Sequence, residues 1–492
     1  MTGTRGVQKN IQRHSRIARR FLTCTLIFAA AMASISCAGL PGRQNGPSGR
    51  ISAGAGRLDR DEQEIERAPR EAGLPWRNPV DPAEQEVVLP ASPLPERVVR
   101  EQLDRRITRI IASMPLEARI GQLFVPAIVY DAAGAPVEAV TPEIADFMRS
   151  LQPGGVILFG PNLNSPDQTR ELIRGLQEIS DLPLFIAIDQ EGGLVDRLSS
   201  NDSMGAIPIP SARRVGATGD EDLAYELARV VARELRSLGI NMNMAPVADV
   251  MTNPDNPVIG SRAFGTTPEL VATMVQATVR GYADEGIISV LKHFPGHGDT
   301  FEDTHYSSAV VLHDRERLEQ IELVPFTAGI SAGADAVLSG HMSVPALQGD
   351  NLPATFSSVI LTDLLRGELG FEGVIITDAL IMGALVHYYP ESQVCRRAFM
   401  AGADLLLRSP APLRDADDLL QAVMSGEISE ERINESVMRI IRLKFLKGLM
   451  VVPDPEQTDE LFMVPEVKTP EQENLGSGSD RILIEEVYRR SS

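Results

Sequence analysis

The sequence predicts an α/β protein built on a single parallel (β/α)8 TIM-type barrel. Eight short apolar runs recur along it, with room for a helix between neighbours. They are almost continuously apolar, as strands buried on both faces must be. Charged groups and histidines collect at their ends, where a barrel presents its active site. An open doubly wound sheet is the alternative; the count of eight and the polar strand ends favour the barrel.

In chain order the runs are QLFVPAIV (122–129), GGVILFG (154–160), PLFIAID (183–189), INMNMAPVADV (240–250), ISVLKHF (288–294), DAVLSGHM (335–342), GVIITDAL (373–380) and ADLLLRS (403–409). Residues 220–239 and 268–286 carry apolar residues at helical spacing between runs, and 429–448 closes the domain in the same way. The barrel is therefore placed at 96–450.

What precedes and follows is of another kind. Arg13, Arg16, Arg19 and Arg20 come before a 16-residue apolar run, Phe21 to Ser36, too short for a comfortable membrane span. The run ends in Ser34-Ile35-Ser36-Cys37, small residues before a cysteine. This looks like a bacterial lipobox, although Ser34 stands where such motifs usually have Leu. Residues 1–37 are read as a lipoprotein-type signal with Cys37 lipidated, which makes the chain an exported protein anchored to a membrane. An ordinary signal peptide, or an uncleaved anchor with Cys37 a bystander, is the alternative. Residues 38–95, rich in Gly, Pro, Arg and Glu without a sustained apolar period, read as a flexible tether. Residues 451–492 read as a short acidic tail, too short for a second large domain.

Bulk properties exclude some classes. The net charge is -20, and the six basic residues of 1–36, with no acid among them, take it to -26 once removed. Such a chain is a poor nucleic-acid binder, because phosphate affinity comes from Lys and Arg. Cys24 and Cys37 lie in the signal, which leaves Cys395 with no partner for a disulfide framework or a cysteine zinc site. No cofactor is implied, and a monomer is expected.

Three segments concentrate chemistry. Lys292 to His305 reads KHFPGHGDTFEDTH and holds three of the seven histidines. Phe-Pro-Gly-His-Gly cannot continue a strand, so it forms a loop, and its glycines make it hinge-capable. Asp303 lies two residues before His305, close enough to orient an imidazole for proton transfer. A histidine-rich surface loop or a metal site is the alternative, although the nearby acids follow no recognised ligand pattern. Asp378 follows the seventh run directly, where a carboxylate is costly unless used; capping the next helix is the competing explanation. Asp189 ends the third run before Gly192-Gly193, and Arg197 and Arg262 supply donors suited to hydroxyl or carbonyl oxygens, or else to structural ion pairs.

Together the segments DQEGG…R (189–197), NPDNPVIGSRAFG (253–265), KHFPGHGDT…DTH (292–305), TDALIMGAL (377–385) and AGADLLL (401–407) resemble glycoside hydrolase family 3, in its NagZ-like β-N-acetylhexosaminidase branch. The likeness spans roughly 103–449. It implies Asp378 as nucleophile, His305 as general acid/base and Asp303 as its orienting partner. It assigns sugar binding to Asp189, Arg197, Arg262, Lys292 and His293, and loop shaping to His297. Leu194, Asp196, Met251 and Thr304 depart from the usual pattern without removing a catalytic group. The implied partner is a glycan ending in N-acetylglucosamine, of peptidoglycan or chitin type. A β-glucosidase or β-xylosidase, a phosphorylase on the same site, and a non-catalytic tethered glycan-binding protein are the competing functions.

Overall fold

A computed structural model describes residues 96–304, 306, 308–451 and 475–491. The signal with Cys37, the tether, residues 452–474 of the tail and His305 lie outside the described residues.

All eight runs contain a parallel strand: β1 (Phe124–Val125), β2 (Gly155–Leu158), β3 (Phe185–Ile188), β4 (Met242–Asn243), β5 (Ile288–Phe294), β6 (Ala336–Ser339), β7 (Val374–Thr377) and β8 (Leu406–Leu407). β2 to β7 pair in sequence order, and β1 pairs with β8. Bridges from Ala127 to Ile157 and from Ile376 to Leu405 join the two groups, so the sheet curls until each strand has a neighbour on both sides. Every strand residue is buried, which explains the absence of polar alternation.

The helices form the outer layer. Helix Glu221–Ser237 starts where the Asp220 carboxylate accepts from the Asp222 and Leu223 amides at 3.0 and 3.1 Å. Its Leu223, Leu227, Val231 and Leu235 recur every four residues and turn one face to the sheet. Helix Glu430–Leu446 is capped by Ser429 and buries Ile433, Val437, Ile440 and Ile441.

That last helix also buries Lys444, whose Nζ donates to Gln122 Oε1 at 2.8 Å and lies 5.1 Å from the Phe185 ring centre. Gln122 precedes β1 and Phe185 begins β3, so the lysine sits at the N-terminal end of the sheet, away from the loops that carry the chemistry. Burial pushes its ammonium down to about 7.

The tail does more than trail. Its end forms helix Gly478–Arg490, which buries Ile484 and Val487 against the domain. Arg233 pairs with Asp480 at 3.0 Å, Arg490 with Asp220, and the Arg214 guanidinium lies 5.0 Å from the Tyr488 ring centre. The Gly476 amide donates to Glu234 Oε1 at 3.0 Å. An acidic, Pro-containing stretch masked this helix in the sequence, because only two of its side chains are buried.

Candidate active site

The loops after the C-terminal ends of β3, β4, β5 and β7 meet at one mouth of the curled sheet. β5 ends in Lys292-His293-Phe294, all buried; the Lys292–His293 and Phe294–Pro295 peptide bonds are cis. Lys292 Nζ reaches Asp189 Oδ1 at 2.8 Å and Glu191 Oε1 at 2.6 Å. Glu191 in turn accepts a fork from Arg262, Nε at 2.8 Å and Nη2 at 2.9 Å. Burial alone would raise the Glu191 carboxyl, but the Lys292 and Arg262 charges outweigh it and hold it well below the usual carboxylate range. Lys292 is held up in the same way: Asp189 and Glu191 overcome its desolvation.

The chain of contacts continues through histidine. Arg262 Nη2 lies 3.3 Å from His293 Nε2, and His293 Nδ1 lies 2.7 Å from Asp249 Oδ2. Arg262 can only donate, so Nε2 accepts and the ring proton is on Nδ1, facing Asp249. Asp249 Oδ1 also accepts from the His297 amide at 2.7 Å. Burial opposes the Asp249 charge, yet His293 and His297 keep its carboxyl below the ordinary range. Asp189, Glu191, Arg262, Lys292, His293 and Asp249 therefore form one largely buried network that sets the positions of four proposed sugar-binding residues, Asp189, Arg262, Lys292 and His293.

The β5 loop is fixed by packing and hydrogen bonds. A Cβ on Gly298 would lie 1.8 Å from the Val250 carbonyl oxygen, so this glycine serves close approach rather than a hinge. His297 Nδ1 meets Thr300 Oγ1 at 2.6 Å and Nε2 meets Thr304 Oγ1 at 3.1 Å. Burial and the neighbouring His293 lower the His297 imidazole to about 4, leaving it neutral at pH 7, one nitrogen donating and one accepting. At the base of the loop, Asp299 accepts from Thr252 Oγ1 at 2.7 Å and pairs with His313.

β7 presents Asp378. Its amide donates to Ser339 O at 2.9 Å, and its Oδ1 accepts from the Ala379 amide at 2.7 Å. The next helix, Gly383–Val386, begins five residues on behind Met382, so capping that helix does not explain the carboxylate. Two contacts tie the β5 loop to this region: the Ala384 amide donates to Thr304 O at 3.2 Å, and His387 Nδ1 lies 3.2 Å from Tyr306 O. The residues on either side of His305 are thus held against the segment that follows Asp378. Asp303 is half-buried in the same loop, and its carbonyl accepts from the Tyr306 amide at 3.0 Å.

Arg197 stands apart from the network. Its Nε is buried with no hydrogen-bond partner among the described residues, and its guanidinium lies 5.8 Å from the Phe159 ring centre. Asp196 stiffens that loop by accepting from Gln190 Nε2 and the Ser199 and Ile209 amides at 2.7, 3.0 and 2.9 Å. The neighbouring Leu194 is 82% exposed.

Sequence reasoning missed Asp249, the bridging role of Glu191, and His341, which braces the Asp378 loop through Ala379 O at 3.1 Å and Thr355 Oγ1 at 2.8 Å. Asp249 and His341 carry the signal that marked Asp378, a polar group at the end of an apolar run. No group of three or more metal-ligating side chains converges among the described residues.

Strand-end carboxylates facing lysine, arginine and histidine at one end of a curled parallel sheet define an enzyme site of the α/β class. The chain belongs to glycosyl hydrolase family 3, whose N-terminal domain matches residues 115–443, and it is a glycoside hydrolase. It is 36% identical over 339 residues to β-hexosaminidase A of Pseudoalteromonas piscicida, covering 63% of this chain and 56% of that protein. It is 35% identical over 314 residues to a β-hexosaminidase of Nitrosomonas eutropha, covering 63% and 86%. A solved family 3 β-N-acetylglucosaminidase from Paenibacillus sp. str. FPU-7 superposes with a TM-score of 0.68 at 39% identity, over 77% of this chain and 69% of that one.

Proposed function

We propose that the protein is an exported, retaining β-N-acetylhexosaminidase that releases terminal N-acetylglucosamine from peptidoglycan- or chitin-type glycans. The curled sheet is read as a complete (β/α)8 barrel, with a monomer as the working unit. The observation that carries this reading is the pair of contacts from Ala384 and His387 to Thr304 and Tyr306, which hold these last two residues against the segment that follows Asp378.

In this mechanism Asp378 attacks the anomeric carbon while His305, oriented by Asp303, gives a proton to the departing glycosidic oxygen. The carbon–oxygen bond to the leaving group breaks as an ester to Asp378 forms. Water then attacks the anomeric carbon, passes its proton to His305 and frees the carboxylate, so configuration is retained. Asp189, Arg197, Arg262, Lys292 and His293 hold the sugar, and the contacts that join Asp189, Lys292, Arg262 and His293 through Glu191 supply orientation before it arrives. Cys37 carries the lipid that holds the enzyme to a membrane, on the periplasmic or cell-surface side.

The deciding experiment compares hydrolysis of an aryl N-acetyl-β-glucosaminide with that of the matching glucoside, and follows the anomer first released. Preference for the N-acetylated substrate with retention supports the reading. Inversion, or equal rates on the glucoside, overturns it. Phosphate-dependent turnover yielding a sugar 1-phosphate would assign a phosphorylase. Asp378→Asn should fold and not turn over, whereas His305→Ala should lose more on poor leaving groups than on activated aryl ones.

A further inference from the structure

Arg408, the residue directly after β8, has features that a structural arginine lacks. Its backbone φ is +48°, and it is one of two non-glycine residues in the left-handed region among those described; the other, Gln152, ends a helix. Nothing about a helix end requires that conformation at 408. Its amide continues the β1–β8 pairing by donating to Val125 O at 3.0 Å, so the backbone is held while an unfavourable φ turns the side chain. Such local cost persists where a site needs it.

The side chain turns toward the mouth. Its guanidinium lies 4.8 Å from the centre of the Phe159 ring, the ring that Arg197 also approaches. Phe159 directly follows β2, so the ends of β2 and β8 and the loop after β3 converge here. Among the described residues the Arg408 guanidinium has no hydrogen-bond or ion-pair partner. Two other arginines stacked on rings differ in this respect. Arg366, over Phe371, donates to Phe371 O at 2.8 Å and also meets Gly373 O and Asp404. Arg432, over Phe399, donates to Ala403 O at 2.9 Å and Phe399 O at 3.3 Å. Burial, with Arg197 beside it, disfavours the Arg408 charge, while Asp189 and Asp378 support it, which places the guanidinium in the field of both carboxylates.

We propose that Arg408 is a further sugar-binding residue of this site, donating from its guanidinium to a hydroxyl oxygen of the terminal sugar whose proton Asp189 accepts, and so helping to set which hydroxyl configuration is taken. A hydroxyl is both donor and acceptor, and a donor-only guanidinium in the field of a carboxylate meets both needs when one hydroxyl reaches the two. The proposal rests on the glycosidase reading above.

The test uses Arg408→Met and Arg408→Gly with an aryl N-acetyl-β-glucosaminide and its 3-, 4- and 6-deoxy analogues. Losing a charged hydrogen bond should lower kcat/KM of Arg408→Met about 10- to 150-fold. One deoxy analogue should lose its penalty in that variant, because the hydroxyl it lacks has no partner left to miss. Arg408→Gly should lose the same activity with an unchanged or higher Tm, since glycine adopts the left-handed backbone freely. Activity of Arg408→Met within about twofold of the parent, or deoxy penalties all unchanged, overturns the proposal, as does a lower Tm for Arg408→Gly at full activity. A parent enzyme inactive on the N-acetylglucosaminide would instead defeat the reading beneath it.

Discussion

Glu191→Gln removes the carboxylate that joins two cations at the centre of the network. The Glu191 and Lys292 side chains are each 3% exposed and Arg262 is 13% exposed, so solvent cannot take over the lost charge. A glutamine oxygen can still accept from Arg262, but its NH2 then faces a donor, either Lys292 Nζ or the second Arg262 nitrogen. Breaking a buried pair on one side costs about 3–5 kcal/mol. For a domain of this size that corresponds to a fall of roughly 5–10 °C in Tm. Lys292 and Arg262 also lose the contact that holds them in place, and a displacement near 1 Å in such groups costs about 100-fold in rate. Thermal melts by circular dichroism and aryl-glycoside kinetics measure the two losses separately. The pH dependence follows from the sign of the shift. The folded carboxyl sits below its unfolded value of 4.5, so its stabilisation is complete above about pH 4.5 and is lost as pH falls toward the folded value. Acid destabilisation below that point should therefore be weaker in Glu191→Gln than in the parent. Adding Lys292→Met should restore part of the stability and none of the activity. A single variant that melts within about 2 °C of the parent, with kcat/KM unchanged, would refute the account of the network.

Three other outcomes are expected. Lys444 is held near 7 in the fold against 10.5 unfolded, so the unfolded chain binds more protons between those values and parent stability rises with pH by up to about 4–5 kcal/mol across that window; Lys444→Met should be the more stable protein at pH 6 in urea melts, and a gap that stays constant to pH 10 contradicts this. Thr304→Val removes the hydroxyl that meets His297 Nε2 and should lower kcat/KM about 5- to 10-fold for one lost hydrogen bond, with Tm nearly unchanged; full activity would show that this bond does not position the loop. Deleting residues 475–492 uncovers the surface under Ile484 and Val487 and should cost about 3–6 kcal/mol at roughly 1.5–3 kcal/mol per buried side chain; an unchanged Tm would mean that the helix adds nothing to the domain.

The eight runs, the helices over 220–239, 268–286 and 429–448, and the strand-end positions of Asp189, Lys292, His293 and Asp378 were legible in the sequence. The physical reason is local. A run such as ISVLKHF is stable only when buried on both faces, and a charge at its end must then lie where the sheet opens. Arg262 could be named from sequence, but whether it paired internally or stayed available for a ligand could not.

Partnership was decided by the fold. Glu191 meets Arg262 across 71 residues, His293 meets Asp249 across 44, and Lys444 meets Gln122 across 322. The docking of helix Gly478–Arg490 and the convergence of Arg197 and Arg408 on Phe159 are of the same kind. Periodicity reports what one segment must bury. It is silent on which distant segment supplies the opposing charge, because that depends on how strands neighbour one another around the curled sheet.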